Sequence, residues 1–196
     1  ERLMRRELSP LPRPLVLVVD DDPTVQCAAE LALHAAGFHV VPALNGADAV
    51  QTFGAVKPDL VFMDIVMPRM DGFAACAAVR RLPTGSHTPI VFLTGRNDAE
   101  SIHAAYEAGA TDFVAKPFNG VLLGHRARFL LRASAAMKEV ERSREHLATA
   151  QQLAKVGSWE WDPATDRLQL SEVACGIFGL AASSFRGPTQ TFLERV

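Results

Sequence analysis

Five polar residues could carry out phosphoryl chemistry, and each stands where an apolar stretch of the chain gives way to a loop. They are Asp20, Asp21, Asp64, Thr94 and Lys116. An aspartate carboxylate can attack phosphorus and form an aspartyl phosphate, but neighbouring carboxylates repel an incoming phosphate unless a cation neutralises them. Mg²⁺ suits that role because it accepts carboxylate, water and phosphate oxygens in one octahedron. With a lysine and a hydroxyl to contact phosphoryl oxygens, the set predicts Mg²⁺-dependent phosphoryl transfer to a carboxylate.

The chain around these residues alternates apolar, β-branched stretches with helical stretches. The apolar stretches predict five strands, over residues 15–19, 38–43, 59–63, 89–93 and 112–115. Helical patterns follow at residues 23–36, 46–53, after the Pro68/Gly72 loop up to residue 81, at 98–108, and from about 120. Strands that are apolar throughout indicate a parallel sheet covered on both faces, so we predict an α/β, doubly wound fold with right-handed connections. Sites in such sheets lie beyond the carboxyl ends of the strands, where the five polar residues stand.

The composition argues against several classes of function. A net charge of −2 gives no general attraction to nucleic acids or anionic membranes, so we expect no direct nucleic-acid binding. No apolar run approaches the roughly 20 residues that a membrane-spanning helix needs, and no signal peptide is recognisable. Cys27, Cys76 and Cys175 form no metal-type or redox-type pair, and the first two lie in apolar helical patterns that predict buried free thiols. These features predict a cytoplasmic protein without a membrane partner.

Four segments carry a resemblance to a known family. They are VVDDDP (residues 18–23), DIVMPRMDG (64–72), FLTG (92–95) and FVAKPF (113–118). In this order and near this spacing, they resemble the signatures of the receiver domain of response regulators in two-component signalling. The resemblance covers residues 15 to about 130. It implies a flavodoxin-like sheet of five parallel strands in the order 2-1-3-4-5.

The resemblance also implies how the acidic residues are used. It makes Asp64 the residue that accepts a phosphoryl group from a histidine kinase or a phosphotransfer protein. Asp21 would be the main side-chain ligand of Mg²⁺, with Asp20 assisting, partly through water. Asp64 itself and the backbone carbonyl of Val66 would complete the protein's share of the metal ligands.

Three further roles follow from the resemblance. Lys116 and Thr94 would contact the phosphoryl oxygens, and a cis bond between Lys116 and Pro117 would aim the lysine; proline makes such a bond tolerable. Phe113 stands where the family carries an aromatic residue whose rotamer follows the threonine on activation, so Thr94 and Phe113 would form a switch. For Phe113, ordinary core packing is an equally good interpretation.

Four residues near the site have other interpretations or open roles. Asp22, before Pro23, is typical of a helix cap, and Asp71, before Gly72, is typical of a turn. Val66 and Arg96 occupy positions that, by the resemblance, flank the phosphoryl group and affect its lifetime.

Beyond residue 120 the sequence predicts one long helix. After Gly124 there is no glycine until Gly157, and two series of residues recur at intervals of seven: Leu123, Leu130, Met137, Arg144 and Gln151, and Ala133, Val140, Leu147 and Ala154. This half-apolar repeat favours a parallel, dimeric coiled coil of moderate strength over residues 123–156. The alternative is that the helix continues as a solvated, monomeric linker.

Residues 157–196 predict the beginning of a further domain. Residues 158–162 alternate like a strand, residues 163–166 form a turn, residues 167–170 return, and a short helix follows from 171. Residues 148–196 resemble the opening of a PAS sensor domain, which implies an α+β segment. We therefore predict a flexible tail (1–14), a receiver domain (15–122), a signalling helix (123–156) and the amino-terminal part of a PAS-like domain (157–196).

Three output classes remain open at this point. A receiver, helix and PAS segment in tandem resemble proteins that synthesise or hydrolyse cyclic di-GMP. The same tandem is compatible with a hybrid histidine kinase, or with a module in which the receiver only docks partners. The motifs that would distinguish the catalytic outputs do not lie within these residues.

Overall fold

The computed structural model describes residues 13–95, 103, 107–154, 156–180 and 184–194. The chain divides into two compact units, with the boundary between Ala136 and Met137. The first unit contains a five-stranded sheet in the order β2-β1-β3-β4-β5, and every neighbouring pair of strands is parallel. The flavodoxin-like sheet with strand order 2-1-3-4-5 is therefore confirmed.

The strands begin and end within one residue of their predicted bounds. They are β1 (Leu15–Val19), β2 (His39–Ala43), β3 (Leu60–Asp64), β4 (Ile90–Thr94) and β5 (Asp112–Ala115). The helices are α1 (Pro23–Ala35), α2 (Gly46–Val56), α3 (Gly72–Arg80) and α4 (Gly120–Ala154). The helix predicted over residues 98–108 lies almost entirely outside the described residues.

Side-chain caps define where three of these helices begin. Asp22 accepts a hydrogen bond from the backbone N–H of Thr24 at 2.8 Å, and Pro23 follows it, so the predicted cap of α1 is confirmed. Asn45 caps α2 in the same way. Asp71, predicted as a turn residue, is also a helix cap, because its carboxylate accepts from the backbone N–H of Ala74 at 2.8 Å and so starts α3.

Apolar side chains fill both faces of the sheet. Alternate residues of each strand point to opposite faces, so Leu17 and Val19 join one core cluster while Val16 and Val18 join the other. Partners on the first face come from α2 and α3, and partners on the second face come from α1 and the beginning of α4. Helices therefore pack on both faces of the sheet, and this packing fixes the positions of the strand ends.

One cysteine prediction is wrong. Cys76 is buried as predicted, but Cys27 is exposed. The buried face of α1 carries Ala29 and Leu33, which are four residues apart. Cys27 precedes Ala29 by two residues and therefore lies about 200° away around the helix, on the opposite side. Because many residues of α1 are apolar, the sequence did not distinguish the buried face of this helix from the exposed face that carries Cys27.

Helix α4 is continuous over its whole length, and its surroundings change along it. Leu123, Ala127 and Leu130 are buried in the core beneath the sheet. Farther along, Met137 is 70% exposed and Leu147 is 61% exposed. The first two members of the seven-residue series are thus covered by the receiver's own core. The coiled coil and the domain boundary at residues 122/123 stay predictions.

The second unit contains a small antiparallel sheet. Its strands are β6 (Trp159–Asp162), β7 (Arg167–Leu170) and β8 (Phe185–Pro188), in that order, and its short helices are α5 (Glu172–Ile177) and α6 (Thr189–Leu193). The predicted hairpin and the helix after it are confirmed, whereas the PAS fold stays a prediction. Among the described residues, no helix combines the length and the apolarity that crossing a membrane requires.

Candidate phosphoryl-transfer site

The predicted site residues meet at one edge of the sheet. Asp20 and Asp21 directly follow β1, Asp64 and Thr94 are the last residues of β3 and β4, and Lys116 directly follows β5. Because these strands are parallel and adjacent in the order β1-β3-β4-β5, their carboxyl ends lie side by side. The structure therefore brings all five residues to one edge of the sheet, as the strand ends predict.

Three carboxylates converge at this edge. One oxygen each of Asp20, Asp21 and Asp64 lies within 4.8 Å of the others. Asp20 is fully buried, Asp64 is almost buried, and Asp21 is exposed. The cluster therefore reaches from the interior to the surface, where a small ligand could enter.

Lys116 compensates the buried part of this negative charge. Its Nζ lies 2.6 Å from Oδ2 of Asp20 and 3.0 Å from Oδ2 of Asp64. The sequence predicts that the lysine contacts the incoming phosphoryl group, whereas in the structure the lysine already contacts two carboxylates. The peptide bond between Lys116 and Pro117 is cis, as predicted.

Burial and charge act in opposite directions on the two ionisable groups. Burial raises the pKa of the Asp64 carboxyl, and the negative charge of Asp20 adds to this, although the contacts with Lys116 work against it. Burial alone would lower the pKa of Lys116, but its hydrogen bonds and charge interactions with Asp20 and Asp64 outweigh burial, so the pKa of Lys116 is raised. The lysine is therefore held in its charged form between the two acids.

The acidic residues fit a divalent cation. Oδ2 of Asp20 is buried and, apart from its ion pair with Lys116, accepts no hydrogen bond of favourable geometry from the described residues. A buried carboxylate oxygen with unused acceptor capacity is costly, and a hard cation with oxygen ligands would satisfy it. The side chains that converge here offer carboxylate oxygens as ligands, which match Mg²⁺ rather than a metal that prefers sulfur or nitrogen.

The loop after Asp64 is held in place by a glycine that sequence reasoning did not assign to the site. A Cβ at Gly72 would collide with the backbone oxygen of Asp64, so only glycine allows α3 to begin this close to the end of β3. The backbone N–H of Gly72 donates to the carbonyl of Ile65 at 2.9 Å and closes the loop that contains Val66. The DG pair at positions 71–72 was the available signal.

Asp64 is oriented by its neighbours as well as by its strand. The backbone N–H of Ile65 donates to Oδ1 of Asp64 at 2.8 Å, which fixes the plane of the carboxylate. Val66 follows in the same loop with its side chain 71% exposed, and it lines a cleft with Asp64, Thr94 and Lys116. Arg96, the predicted partner of Val66 beside the cleft, lies outside the described residues.

The two predicted switch residues lie on neighbouring strands. Thr94 is buried at the end of β4, and its carbonyl accepts from the backbone N–H of Lys116 at 2.7 Å. Phe113 is half-buried on β5 opposite Phe92 of β4 and packs against the core cluster on that face. This position is compatible with a switch and equally with core packing.

Comparison with known proteins agrees with this geometry. The response regulator receiver domain family matches residues 16–128. The chain belongs to this family. A curated relative, the transcriptional regulatory protein AfsQ1 of Streptomyces coelicolor, is 37% identical over 119 residues, which is 61% of this chain and 52% of the relative. This chain thus spans about half the length of the curated relatives that it matches.

Solved receiver structures show the same fold. The chemotaxis response regulator CheY4 of Vibrio cholerae is 30% identical and matches 60% of this chain and 98% of its own with a TM-score of 0.58. The receiver domain of the sensor histidine kinase PA1611 of Pseudomonas aeruginosa is 29% identical, with a TM-score of 0.57 over 63% of this chain and 98% of its own. That structure holds a magnesium ion coordinated in its active-site cleft.

Proposed function

We propose that this receiver accepts a phosphoryl group on Asp64 from a phosphohistidine of a histidine kinase or a phosphotransfer protein. The observation that carries the proposal is the group of three carboxylates at the sheet edge, with Lys116 between two of them. In the transfer, a carboxylate oxygen of Asp64 bonds to phosphorus while the bond between phosphorus and the histidine nitrogen breaks. The nitrogen keeps the electron pair of that bond, and the protein gains an aspartyl phosphate.

Asp20, Asp21 and Asp64, with the backbone carbonyl of Val66, are the groups that would hold Mg²⁺. When bound, Mg²⁺ supplies positive charge that neutralises the phosphoryl oxygens in the transition state. The support for this assignment is the convergence of the three carboxylates within 4.8 Å and the unused acceptor capacity of Asp20. The solved relative that contains magnesium adds support by similarity.

Lys116 and Thr94 would contact the new phosphoryl group. Lys116 already lies 3.0 Å from Asp64, so a small movement of Nζ exchanges a carboxylate contact for a phosphoryl contact. Thr94 lies at the end of the adjacent strand, lines the same cleft as Asp64, and is joined to Lys116 through the backbone. A movement of Thr94 would reach Phe113 across the β4–β5 pair, which is our proposed switch.

Phosphorylation with acetyl phosphate and Mg²⁺ tests the central assignment. We expect intact-protein mass spectrometry to show a single phosphoryl adduct that is absent from Asp64→Asn and from samples without Mg²⁺. Asp59→Asn is a matched control because Asp59 is exposed near the opposite end of the same strand. An adduct that survives in Asp64→Asn, or that disappears in Asp59→Asn, would contradict the assignment.

We also propose that the exposed part of α4 forms a parallel homodimer that relays the state of the receiver to the carboxyl-terminal module. The support is a row of apolar side chains at coiled-coil spacing that are more than half exposed: Met137, Val140 and Leu147. Exposed apolar rows of this kind are usually covered by another helix. Because Leu123 and Leu130 are already buried in the receiver core, the seam would begin near Met137.

Curated relatives are named as transcriptional regulators, including a DNA-binding regulator from Synechocystis that is 29% identical over 134 residues. The alignments with these two relatives, AfsQ1 and the Synechocystis protein, cover 61% and 68% of this chain. The predicted cyclic di-GMP output draws no support from them, and they do not favour the hybrid-kinase or docking alternatives either.

A further inference from the structure

Phe73 belongs both to the phosphoryl cleft and to the core of the receiver. It is the second residue of α3, and it lines the cleft together with Asp64 and Thr94. It is also partly buried against the core cluster on that face of the sheet. Gly72 sets this position, because α3 begins directly against the end of β3, where a larger residue would collide. Metal binding and phosphoryl transfer do not call for an aromatic ring at this place.

The ring of Phe73 packs edge-on against Phe92 of β4. The ring centroids are 5.3 Å apart and the ring planes meet at 77°, a favourable geometry for an aromatic pair. Phe92 is fully buried and lies opposite Phe113 in the pairing of β4 with β5. Phe92 is therefore a neighbour of both Phe73 and Phe113, the aromatic residue of the proposed switch.

Thr94 points to the same face of the sheet as Phe92. The two residues are two positions apart on β4, and alternate residues of a strand share a face. Ala115 is the residue opposite Thr94, so Phe113 lies diagonally across from it on β5. Phe73 and Phe113 therefore approach the region beside Thr94 and Phe92 from different elements, α3 and β5.

The proposed switch requires more space than Thr94 can release. Protein interiors are close-packed, and voids larger than a water molecule are few. When Thr94 turns toward a phosphoryl group, it vacates the volume of a hydroxyl or a methyl group, whereas an inward turn of Phe113 brings in a whole phenyl ring. A neighbouring side chain must therefore yield. Phe73 is suited to this because it is partly exposed at the cleft, whereas Phe92 is fully buried.

We propose that Phe73 is a positioning residue that holds Phe113 outward until Asp64 is phosphorylated. This role rests on the proposed switch of Thr94 and Phe113. The Phe73 ring occupies part of the space that Phe113 needs, and its displacement toward the cleft completes the switch. Binding at Asp64 and the inward state of Phe113 then favour each other, because coupling between two sites is reciprocal. A smaller side chain at position 73 should therefore strengthen binding at Asp64.

Fluorine NMR of the whole chain, with 4-fluorophenylalanine in place of Phe113 alone, reports the position of this ring. Beryllofluoride with Mg²⁺ is the probe, since it binds an aspartate carboxylate as a mimic of the phosphoryl group. We expect beryllofluoride to move the resonance of the natural chain. In Phe73→Leu, and further in Phe73→Ala, the resonance without beryllofluoride should already lie closer to the bound position. Phe53→Leu is the matched control, because it makes the same change in the same core cluster on α2, which packs against β1, β2 and α3.

The affinity for beryllofluoride, titrated in saturating Mg²⁺, separates this role from ordinary packing. If the inward state makes up about a tenth of the natural chain without beryllofluoride, its full release would tighten binding by about tenfold. We expect a gain of at least about twofold in Phe73→Leu and a larger gain in Phe73→Ala, with Phe53→Leu unchanged. A loss of packing beside the cleft, without release of Phe113, would weaken binding instead.

The proposal is overturned if Phe73→Leu leaves the resonance in place, if it weakens beryllofluoride binding, or if Phe53→Leu has an equal effect. Phe73→Leu decides alone should Phe73→Ala fail to fold. If beryllofluoride binds the natural chain without moving the Phe113 resonance, the switch itself is wrong, and the role of Phe73 is wrong with it. A natural chain that does not bind beryllofluoride would contradict the proposed phosphoryl-acceptor function as well.

Discussion

Replacing Lys116 by methionine removes the positive charge between Asp20 and Asp64 but keeps a side chain of similar length. In Mg²⁺-free buffer, Asp20 would then be a buried carboxylate without a compensating charge. We therefore expect Lys116→Met to lower the free energy of unfolding of the receiver. We also expect Mg²⁺ to restore much of the loss, because a divalent cation can compensate the same oxygens.

The contact distances set the size of the effect. At an effective dielectric constant of about 20, contacts at 2.6 and 3.0 Å each correspond to about 6 kcal/mol of gross attraction. Desolvation of each ion costs several kcal/mol and cancels most of this, and removal of one partner of a buried pair typically costs about 3–5 kcal/mol. Because the lysine side chain is 19% exposed, we expect the lower end, about 3 kcal/mol.

Urea unfolding followed by far-ultraviolet circular dichroism measures this difference, in EDTA and in saturating MgCl₂. Hydrogen exchange in β1 and β3 assigns the effect to the receiver, because both strands are buried in its sheet. Lys138→Met is the matched control, since Lys138 is exposed on α4 and should change stability by less than about 0.5 kcal/mol. Equal stability of Lys116→Met and Lys138→Met in EDTA would refute the reasoning, and so would a Lys116→Met deficit that Mg²⁺ leaves unchanged.

Three further perturbations have defined outcomes. Gly72→Ala should destabilise the receiver by about 1–3 kcal/mol and weaken Mg²⁺ binding measured by calorimetry, because the new Cβ collides with the Asp64 backbone. Gly54→Ala in the middle of α2 is the control: its new Cβ meets no atom within 4 Å, so the substitution should be neutral or stabilising. Leu147→Glu should shift a dimer toward monomer in light scattering, whereas Leu153→Glu, which lies off the proposed seam and is 82% exposed, should not. In Mg²⁺-free buffer, the raised pKa of Asp64 means that this carboxyl binds its proton more tightly in the folded state than in the unfolded chain. The contribution of Asp64 to the free energy of unfolding therefore falls as the pH rises from 3.8 to the raised pKa. Asp64→Asn should therefore be more stable than the natural chain at neutral pH, and urea unfolding at several pH values should show the advantage disappearing below 3.8.

The position of the site was predictable because it depends on strand order rather than on side-chain detail. Asp20 follows an apolar strand and Asp64 and Thr94 end two others; such strands indicate a parallel sheet, and a parallel sheet brings its carboxyl ends to one edge. The contact of Lys116 with Asp20 was not predictable, because it depends on where a flexible side chain finds compensating charge when no phosphoryl group is present. Strand periodicity carries no information about that choice.

Faces of helices were harder to predict than the helices themselves. In α1, alanines surround the helix on several sides, so the pattern did not distinguish the buried face of Ala29 and Leu33 from the exposed side of Cys27. Small apolar residues are tolerated at exposed positions, and an alanine-rich helix therefore has a weak directional signal. The direction becomes clear only when the sheet beneath the helix is known.

The seven-residue repeat in α4 presents a similar difficulty over a longer helix. A repeat indicates that one side of a helix is apolar, but it does not say what covers that side. At Leu123 and Leu130 the cover is the sheet of the same chain, since both are buried in the receiver core. From Met137 onward, the apolar side chains of the row are exposed among the described residues, so either a second helix covers them or they remain in contact with solvent. A test of dimerisation must therefore change residues beyond Met137, because substitutions at Leu123 or Leu130 would unfold the receiver and report nothing about the seam.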